Sequence, residues 1–505
     1  MVYALVLPLA LVLGYVLATP TDVSSAGTVG IVLAVLAFPL VLRWHHQALF
    51  LSWGMTAVLF FLPGGPPFWL AMAFLSLIIS CGQRALSKEK QFIHVPSLMW
   101  PLILLVLVVA VTAKATGGFG MRLFGSDIVG GRRYVLMFAG VAGYFAMLGQ
   151  KIPANKALLY LGLFFLGNLA DAIGTLIPFG PPELYPLALM FPVSSLEIAS
   201  VHDLAPTFLS AQGVTRFFGL TVASLSVLCY LLGRGGLRGL MSKPWRFVVF
   251  AAVFIAGSLG GFRSFFILAA LTCLLVFYFE RLFRSRYFAW LILVFILVGT
   301  FLFAFSERLP LSLQRTISFL PVKIDPVARF DAEVSSEWRL QMWNIVLPEV
   351  PKHLWLGKGL GIDGEQLALA SELLGRSLAS SQEVAMLAGD YHSGPLTVLI
   401  QFGIWGLIAW IWLLAAGLRA LYLNFLHGDG YLKDINRLLL AYFLARIAVF
   451  FVVFGNFYTD VPQFCGLLGL SLSLNNGIRR ARKATQMTAK EREPGSLGSA
   501  LGAPA

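Results

Sequence analysis

Four side chains between residues 216 and 392 have the types and order to handle a phosphorylated substrate. Arg216, Arg263 and Arg339 are permanent cations. A guanidinium grips two phosphate oxygens at once, which an ammonium cannot do. His392 follows them in GDYHSGPLTVLIQFGIWG, between an acidic residue, Asp390, and an apolar run. Neutral imidazole accepts a hydroxyl proton near neutral pH. Each residue also has a plainer reading. Arg216 and Arg263 stand at the ends of apolar runs, where a snorkelling arginine is common. Arg339 lies four residues before Trp343, the spacing of a surface Arg–aromatic contact on a helix. His392 also fits as an interfacial histidine whose hydrogen bonds are satisfied. Glu337 and Asp390 are the acids nearest these positions in sequence, and they are the alternative proton acceptors.

Composition decides what positions them. The 505 residues are 58% hydrophobic and only 12% charged, with mean hydropathy +0.82, against about 25% charged in a soluble protein. Apolar runs recur from Tyr3 to Asn475. The reading is an all-α polytopic membrane protein with about 12–14 transmembrane helices. The expected spans are 3–18, 28–42, 48–62, 68–82, 97–113, 134–148, 157–178, 214–232, 247–260, 264–282, 287–305, 395–418, 436–455 and 462–478. The first run lacks a basic leader and reads as a span. Cys81, Cys229, Cys273 and Cys465 are scattered through apolar runs and read as small hydrophobes.

The net charge of +13 does not point to nucleic acid, because the basic residues sit in alternate short connectors. Arg234, Arg238, Lys243 and Arg246 form one set, Arg281, Arg284 and Arg286 another, and Arg479, Arg480, Arg482 and Lys483 a third. That is the positive-inside pattern. It places the intervening segments outside, although the basic connector 114–133 departs from it. The outer segments are a Pro-rich stretch, 179–213, with Glu183, Glu197, His202 and Asp203, and a long loop, 306–392, with eleven acids against eight bases. Within that loop SSEWRLQMWNIVLPEV reads as an amphipathic helix capped by Ser335 or Ser336, with Trp338, Met342 and Ile345 on its apolar face and Pro348 and Pro351 at its end. The chain divides into N-terminal spans (1–213), a catalytic region (214–478) and a disordered basic tail (479–505). Asp171 and Arg446 fall within apolar runs, and the plainest reading pairs them with each other.

WLGKGLGID (355–363) is glycine-rich but lacks the GK[ST] of a nucleotide loop and reads as a turn. No HExxH, paired CxxC or DxD occurs, so no metal or cofactor is expected. In order along the chain stand TRFFG, GGFRS, RLQMW, GKGLG, His-Ser and GIWG, across residues 215–406. In this order and topology the chain resembles the O-antigen ligase and polymerase superfamily of bacterial envelope glycosyltransferases. Ser393 stands where that pattern has Asn, Phe262 where it has Ser, and no Pro-Asn follows Gly219. The resemblance implies an inner-membrane enzyme of polysaccharide or lipopolysaccharide synthesis. Its donor would be an undecaprenyl-diphosphate-linked glycan, its acceptor a hydroxyl of lipid A–core or of another glycan, and its active site periplasmic. The arginines would hold the diphosphate, His392 would be the base, and Asp390, Glu337 and Trp343 would support them. Competing readings are a lipid-linked glycan flippase, which would want charges inside the spans, a peptidoglycan-type polymerase, which would lean on an outer acid, and a non-enzymatic scaffold.

Overall fold

The computed structural model describes residues 14, 39–62, 64–87, 91–117, 128–192, 216–375 and 381–480. The expected span 3–18, most of 28–42, the loop residues Glu197, His202 and Asp203, and the tail beyond Arg480 lie outside the described residues. Among the described residues eighteen helices follow in order. They are α1 (39–52), α2 (Phe68–Leu86), α3 (Pro96–Ala115), α4 (Gly131–Met147), α5 (Ala157–Leu166), α6 (Ala170–Leu176), α7 (Phe218–Met241), α8 (Pro244–Leu259), α9 (Arg263–Phe279), α10 (Arg286–Phe305), α11 (Leu311–Thr316), α12 (Pro326–Val346), α13 (Val350–His353), α14 (Gly364–Gly375), α15 (Ser381–Leu387), α16 (Gly394–His427), α17 (Lys433–Val452) and α18 (Phe457–Asn475). A two-stranded antiparallel ribbon, β1 (Ile128–Val129) with β2 (Ile362–Asp363), ties the long loop to the start of α4.

Seven helices among the described residues are long and apolar enough to cross a membrane, and α8 and α9 are shorter apolar helices beside them. The chain is a multi-pass membrane protein. The central helix is α18, buried along nearly its whole length. Small residues let α4 close onto it. A Cβ added to Gly140 would fall 2.9 Å from Pro462 Cα, and one on Gly469 would fall 2.7 Å from Met147 Sδ. Without a hydrophobic drive between helices in lipid, such close backbone approach is what supplies packing energy.

The expected span 48–62 is corrected. Helix α1 covers 39–52 and the chain then turns into a loop. His45 and His46 look like a connector, but both lie inside the bundle. His45 Nδ1 is 2.7 Å from Ser76 Oγ, and His46 Nε2 is 3.0 Å from the Met147 carbonyl. The expected pairing of Asp171 with Arg446 is also corrected. Asp171 accepts from the Thr56 hydroxyl at 2.6 Å, while Arg446 pairs with Asp460 at 2.8 Å. Among the cysteines, Cys81 is exposed.

Two long helices are broken by glycines in a backbone region that only glycine occupies readily. In α7 the break is at Gly236 (φ 63°, ψ −175°). The freed amides of Leu237 and Arg238 donate to the two carboxylate oxygens of Glu280, each at 2.9 Å. A carboxylate at a new helix N-terminus meets both unpaired donors and the dipole. Arg437 completes that carboxylate at 2.9 Å. In α16 the break is at Gly403 (φ 65°, ψ −164°). There the glycine-rich stretch inserts as a plug. The Ile404 amide donates to the Leu354 carbonyl (2.7 Å), and the Lys358 and Gly359 amides donate to the carbonyls of Ile400 (2.8 Å) and Gln401 (2.9 Å). The turn expected of GKGLG is therefore the piece that satisfies an interrupted transmembrane helix.

Gly403→Ala puts its Cβ 2.7 Å from the carbonyls of Leu354 and Trp355 in a backbone conformation that costs a side-chain residue about 1–3 kcal/mol. The variant is expected to lose its monodisperse size-exclusion peak at a lower temperature than wild type. Gly299→Ala, whose Cβ meets nothing within 4 Å, is expected to match wild type.

Candidate active site

The site is assembled on α12, which lies across the end of the bundle where α7, α9 and α16 begin. The helix starts ten residues before the expected serine caps. Pro326 occupies the first turn, and the side chain of Asp325 caps it by accepting from the Val327 amide at 2.8 Å. Proline at the first position with Asp before it is a strong helix start. Its inward face is Ala328, Ala332, Met342 and Val346, all buried. Ile345, expected on that face, is exposed, because the face follows 3.6-residue spacing from Ala328.

Asp331, on α12, holds two of the arginines together. Arg216, just before α7, donates from Nη2 to both of its carboxylate oxygens at 3.0 Å. Arg315, on α11, donates from Nε to the same carboxylate and from Nη1 to the Gly261 carbonyl at 2.5 Å. Arg263, the first residue of α9, donates to the Ala332 carbonyl (3.0 Å) and to Ser336 Oγ (3.1 Å). Arg339 stands one turn further along α12 and, among the described residues, makes no hydrogen bond or ion pair. Four guanidinium groups thus gather around one carboxylate that bonds only two of them. Burial, then the charge of Arg315, holds Arg216 and Arg339 below the ordinary arginine value, and Asp331 opposes this at Arg216. All four stay charged, since arginine does not deprotonate in proteins. The order Arg216, Arg263, Arg339 legible in the sequence is brought together here. Arg315 and Asp331 were hidden among the loop's many charges, with no motif to mark them.

His392 sits at the other edge of α12. Its ring packs edge-on between Trp338 (centroids 4.8 Å apart) and Phe454 (5.1 Å). Its backbone is left-handed, φ 51°, uncommon for a residue with a side chain. Thr397 amide and hydroxyl both bond the Ser393 carbonyl (2.9 and 2.6 Å), Gln401 Nε2 bonds the Gly389 carbonyl (2.9 Å), and Arg133 Nη1 bonds the Ala388 carbonyl (2.5 Å). The loop is fixed from both sides, so the strained residue persists. His392 Nε2 lies 3.6 Å from Asp390 Oδ2. That is too long for a hydrogen bond but close enough to attract an imidazolium. Burial lowers the pKa of His392 from the ordinary histidine value; Asp390 raises it and Arg339 lowers it. The ring is neutral at neutral pH, and Nδ1 has no hydrogen-bond partner among the described residues.

The other residues expected to support the site, Glu337 and Trp343, stand beside this constellation and outside it. Glu337 is exposed, bonded to Gln341 at 3.3 Å. With Arg263, Arg329, Glu333, Ser318 and Ser336 it lines a cleft of 450 Å³. Trp343 makes no cation–π contact with Arg339 among the described residues, so the plainer reading of Arg339 as a surface Arg–aromatic pair is not met. Among the described residues no group of three or more His, Cys, Asp or Glu is placed to hold a metal ion.

Removing the shared carboxylate tests the electrostatics. Asp331→Asn leaves Arg216 and Arg315 uncompensated, and breaking a buried pair from one side costs about 3 kcal/mol. The variant is expected to unfold at a lower temperature. Inorganic pyrophosphate is expected to restore its stability and to stabilise wild type less.

No curated protein sequence matches the chain. A family model described as O-Antigen ligase matches residues 246–411. That stretch holds Arg263, Arg315, Asp331, Arg339, Asp390 and His392. The chain is thus similar to the O-antigen ligase family over residues 246–411, the stretch that carries most of the side chains of this site.

Proposed function

We propose that the protein transfers a glycan from an undecaprenyl-diphosphate donor to a hydroxyl of lipid A–core or of another glycan, at the periplasmic face of the bacterial inner membrane, with region 214–478 as the catalytic unit. One observation carries the reading. Four arginines gather about one carboxylate on α12, a partly buried neutral histidine lies at the other edge of that helix, and Arg339, the guanidinium whose charge reaches that histidine, is unpaired among the described residues. Like charges held this close repel, so an anionic ligand supplies what the fold leaves out. A lipid diphosphate is such an anion, and it reaches the site from the membrane. The distribution of basic connectors puts α12 and His392 outside.

In this reaction the acceptor oxygen attacks the anomeric carbon of the donor glycan. A carbon–oxygen bond forms on one side as the bond to the diphosphate breaks on the other, so the configuration inverts. The diphosphate leaves as an anion, and the charge that develops on it is met by Arg339, Arg263 and Arg216. Fixed donors aimed at developing charge supply most of the rate enhancement in such catalysis. The hydroxyl proton passes to His392 Nδ1, and Asp390 steadies the resulting imidazolium from the Nε2 side. A flippase explains the cations but leaves His392 without a role. A mechanism led by Glu337 places the base on an open surface, away from the aromatic walls.

Arg339→Ala is expected to fold like wild type, because nothing among the described residues bonds to that guanidinium, and to weaken donor binding by about 10- to 100-fold, the worth of a charge-assisted contact. Arg339→Lys recovers part of it. Normal transfer by a folded Arg339→Ala protein sinks the diphosphate assignment. His392→Ala is expected to keep donor binding and lose roughly 10²–10⁴ in kcat, measured with purified protein and a lipid-diphosphate glycan. His392 must be neutral to accept a proton, and its pKa is lowered. The acid limb of the kcat/KM profile therefore lies below about 6.5. Asp390→Asn removes the group that raises that pKa and moves the limb further toward acid. A limb that stays in place in Asp390→Asn, with activity intact, assigns the base elsewhere.

A further inference from the structure

The plug that fills the break in α16 also carries a charge the fold does not use. Gly357 and Gly359 both have positive φ (79° and 74°). A Cβ on Gly357 would fall 2.3 Å from the Gln401 carbonyl, and one on Gly359 would fall 2.3 Å from Thr116 Oγ1. Both neighbours of Lys358 are therefore pinned by contact, and its amide is bonded to Ile400. The position from which its side chain projects is fixed. The Lys358 ammonium lies 5.6 Å from the centroid of the Tyr391 ring and, among the described residues, has no hydrogen bond or ion pair. Tyr391 is 1% exposed, and its hydroxyl is buried without a partner among the described residues. Arg133 reaches the same place from α4, bonded to Ala388 and lying 4.9 Å over the Tyr458 ring. Glu349 is the nearby acid, but it is engaged by Lys352 at 2.7 Å and faces His353 at 3.7 Å.

A half-buried ammonium held over an aromatic ring whose own buried hydroxyl has no partner among the described residues is costly unless a ligand completes the pair. The charge of Glu349 raises the pKa of Lys358, while burial, the larger effect, and Arg133 lower it. Tyr391 and His392 are consecutive in one fixed loop, and Trp338 packs against both the His392 ring and the cluster that holds Tyr391. Tyr391 packs on Met342 and Ile400, and His392 packs on Trp338 and Phe454. Lys358 thus stands over the ring of the residue that immediately precedes His392.

We propose that Lys358, Tyr391 and Arg133 form a second anion site, separate from the four arginines, that takes a phosphate or carboxylate group carried by the acceptor saccharide. The acceptor role rests on the transferase reading above; the anion site does not. Lysine suits a ligand that arrives in more than one orientation, since it acts as a point charge where arginine imposes a plane.

The test uses the purified full-length protein and three probes, glucose, glucose 6-phosphate and glucuronate, in thermal-shift titrations. Wild type is expected to be stabilised by one or both anionic sugars and not by glucose, and the two anionic arms tell phosphate from carboxylate. Lys358→Met, which removes the unpaired ammonium and keeps the stem, is expected to melt no lower than wild type without ligand. It should need at least tenfold more anionic sugar for the same shift, with undecaprenyl diphosphate binding unchanged. Tyr391→Phe, which removes one oxygen, is expected to weaken the response several-fold and serves if the lysine variant does not fold. In the transfer assay Lys358→Met should raise KM for a charged acceptor tenfold, with kcat and the KM of a neutral acceptor unchanged. Equal responses of wild type and Lys358→Met to the anionic sugars overturn the proposal, as does loss of undecaprenyl diphosphate binding in that variant. Arg339→Ala separates the two readings. Retained lipid-diphosphate binding there removes the donor assignment and leaves the Lys358 site standing.

Discussion

The carboxylate of Asp331 is the interaction on which the site depends. It joins α12 to the loop before α7 through Arg216 and to α11 through Arg315, and Arg315 in turn reaches the turn before α9 through the Gly261 carbonyl. Separate stretches of the chain meet at one group. Two guanidiniums on one carboxylate are not neutral, and Arg263 and Arg339 add to the excess. The fold holds that repulsion because each arginine except Arg339 is also tied to the protein by hydrogen bonds to carbonyl, hydroxyl or carboxylate oxygens. An excess charge fixed by neutral partners keeps its attraction for a ligand, whereas a charge matched one to one by carboxylates loses it.

The second constraint is backbone satisfaction inside the membrane. Breaking α16 at Gly403 frees peptide groups that lipid cannot satisfy. The plug from residues 354–359 meets them, and in doing so fixes the loop that ends at His392. Gln401, close to the break, bonds the Gly389 carbonyl. The same unwound turn therefore anchors the Gly389–His392 loop from one side, while α12 packs on it through Trp338. A helix that ran unbroken through Gly403 would leave neither attachment.

Much of this was legible in the sequence. The spans from α2 onward follow from apolar runs, and the order of arginines and histidine marked the site before any geometry. Three things were not legible, each for a physical reason. His45 and His46 are polar residues in a helix interior, and hydropathy cannot tell a buried, bonded histidine from a connector. Asp331 is one of eleven acids in a loop, and its importance comes from the arginines that converge on it, which spacing along the chain does not encode. GKGLG reads as a turn because glycine marks irregular backbone; that the irregular backbone of one segment repairs the break in another is a tertiary fact.

Charge pairing separates two ionic groups inside the bundle from those of the candidate site. Arg446 has Asp460, and Asp460 accepts from the Asn456 amide with its second oxygen at 2.9 Å. Glu280 has Arg437 and the two amides of the α7 break. In both places the charge and hydrogen-bonding capacity of the carboxylate are met within the protein, which is what intramembrane charges require when they serve only the fold. At the α12 end that capacity stays unmet. Arg339, Lys358 and the Tyr391 hydroxyl have no hydrogen-bond or ion-pair partner among the described residues, and His392 has an aromatic cage but no hydrogen bond there. These groups surround one short loop, Gly389–His392. Two cations and a hydroxyl left unpaired around one loop, in a bundle that pairs the carboxylates it buries at Glu280 and Asp460, support the docking of a polar substrate proposed above.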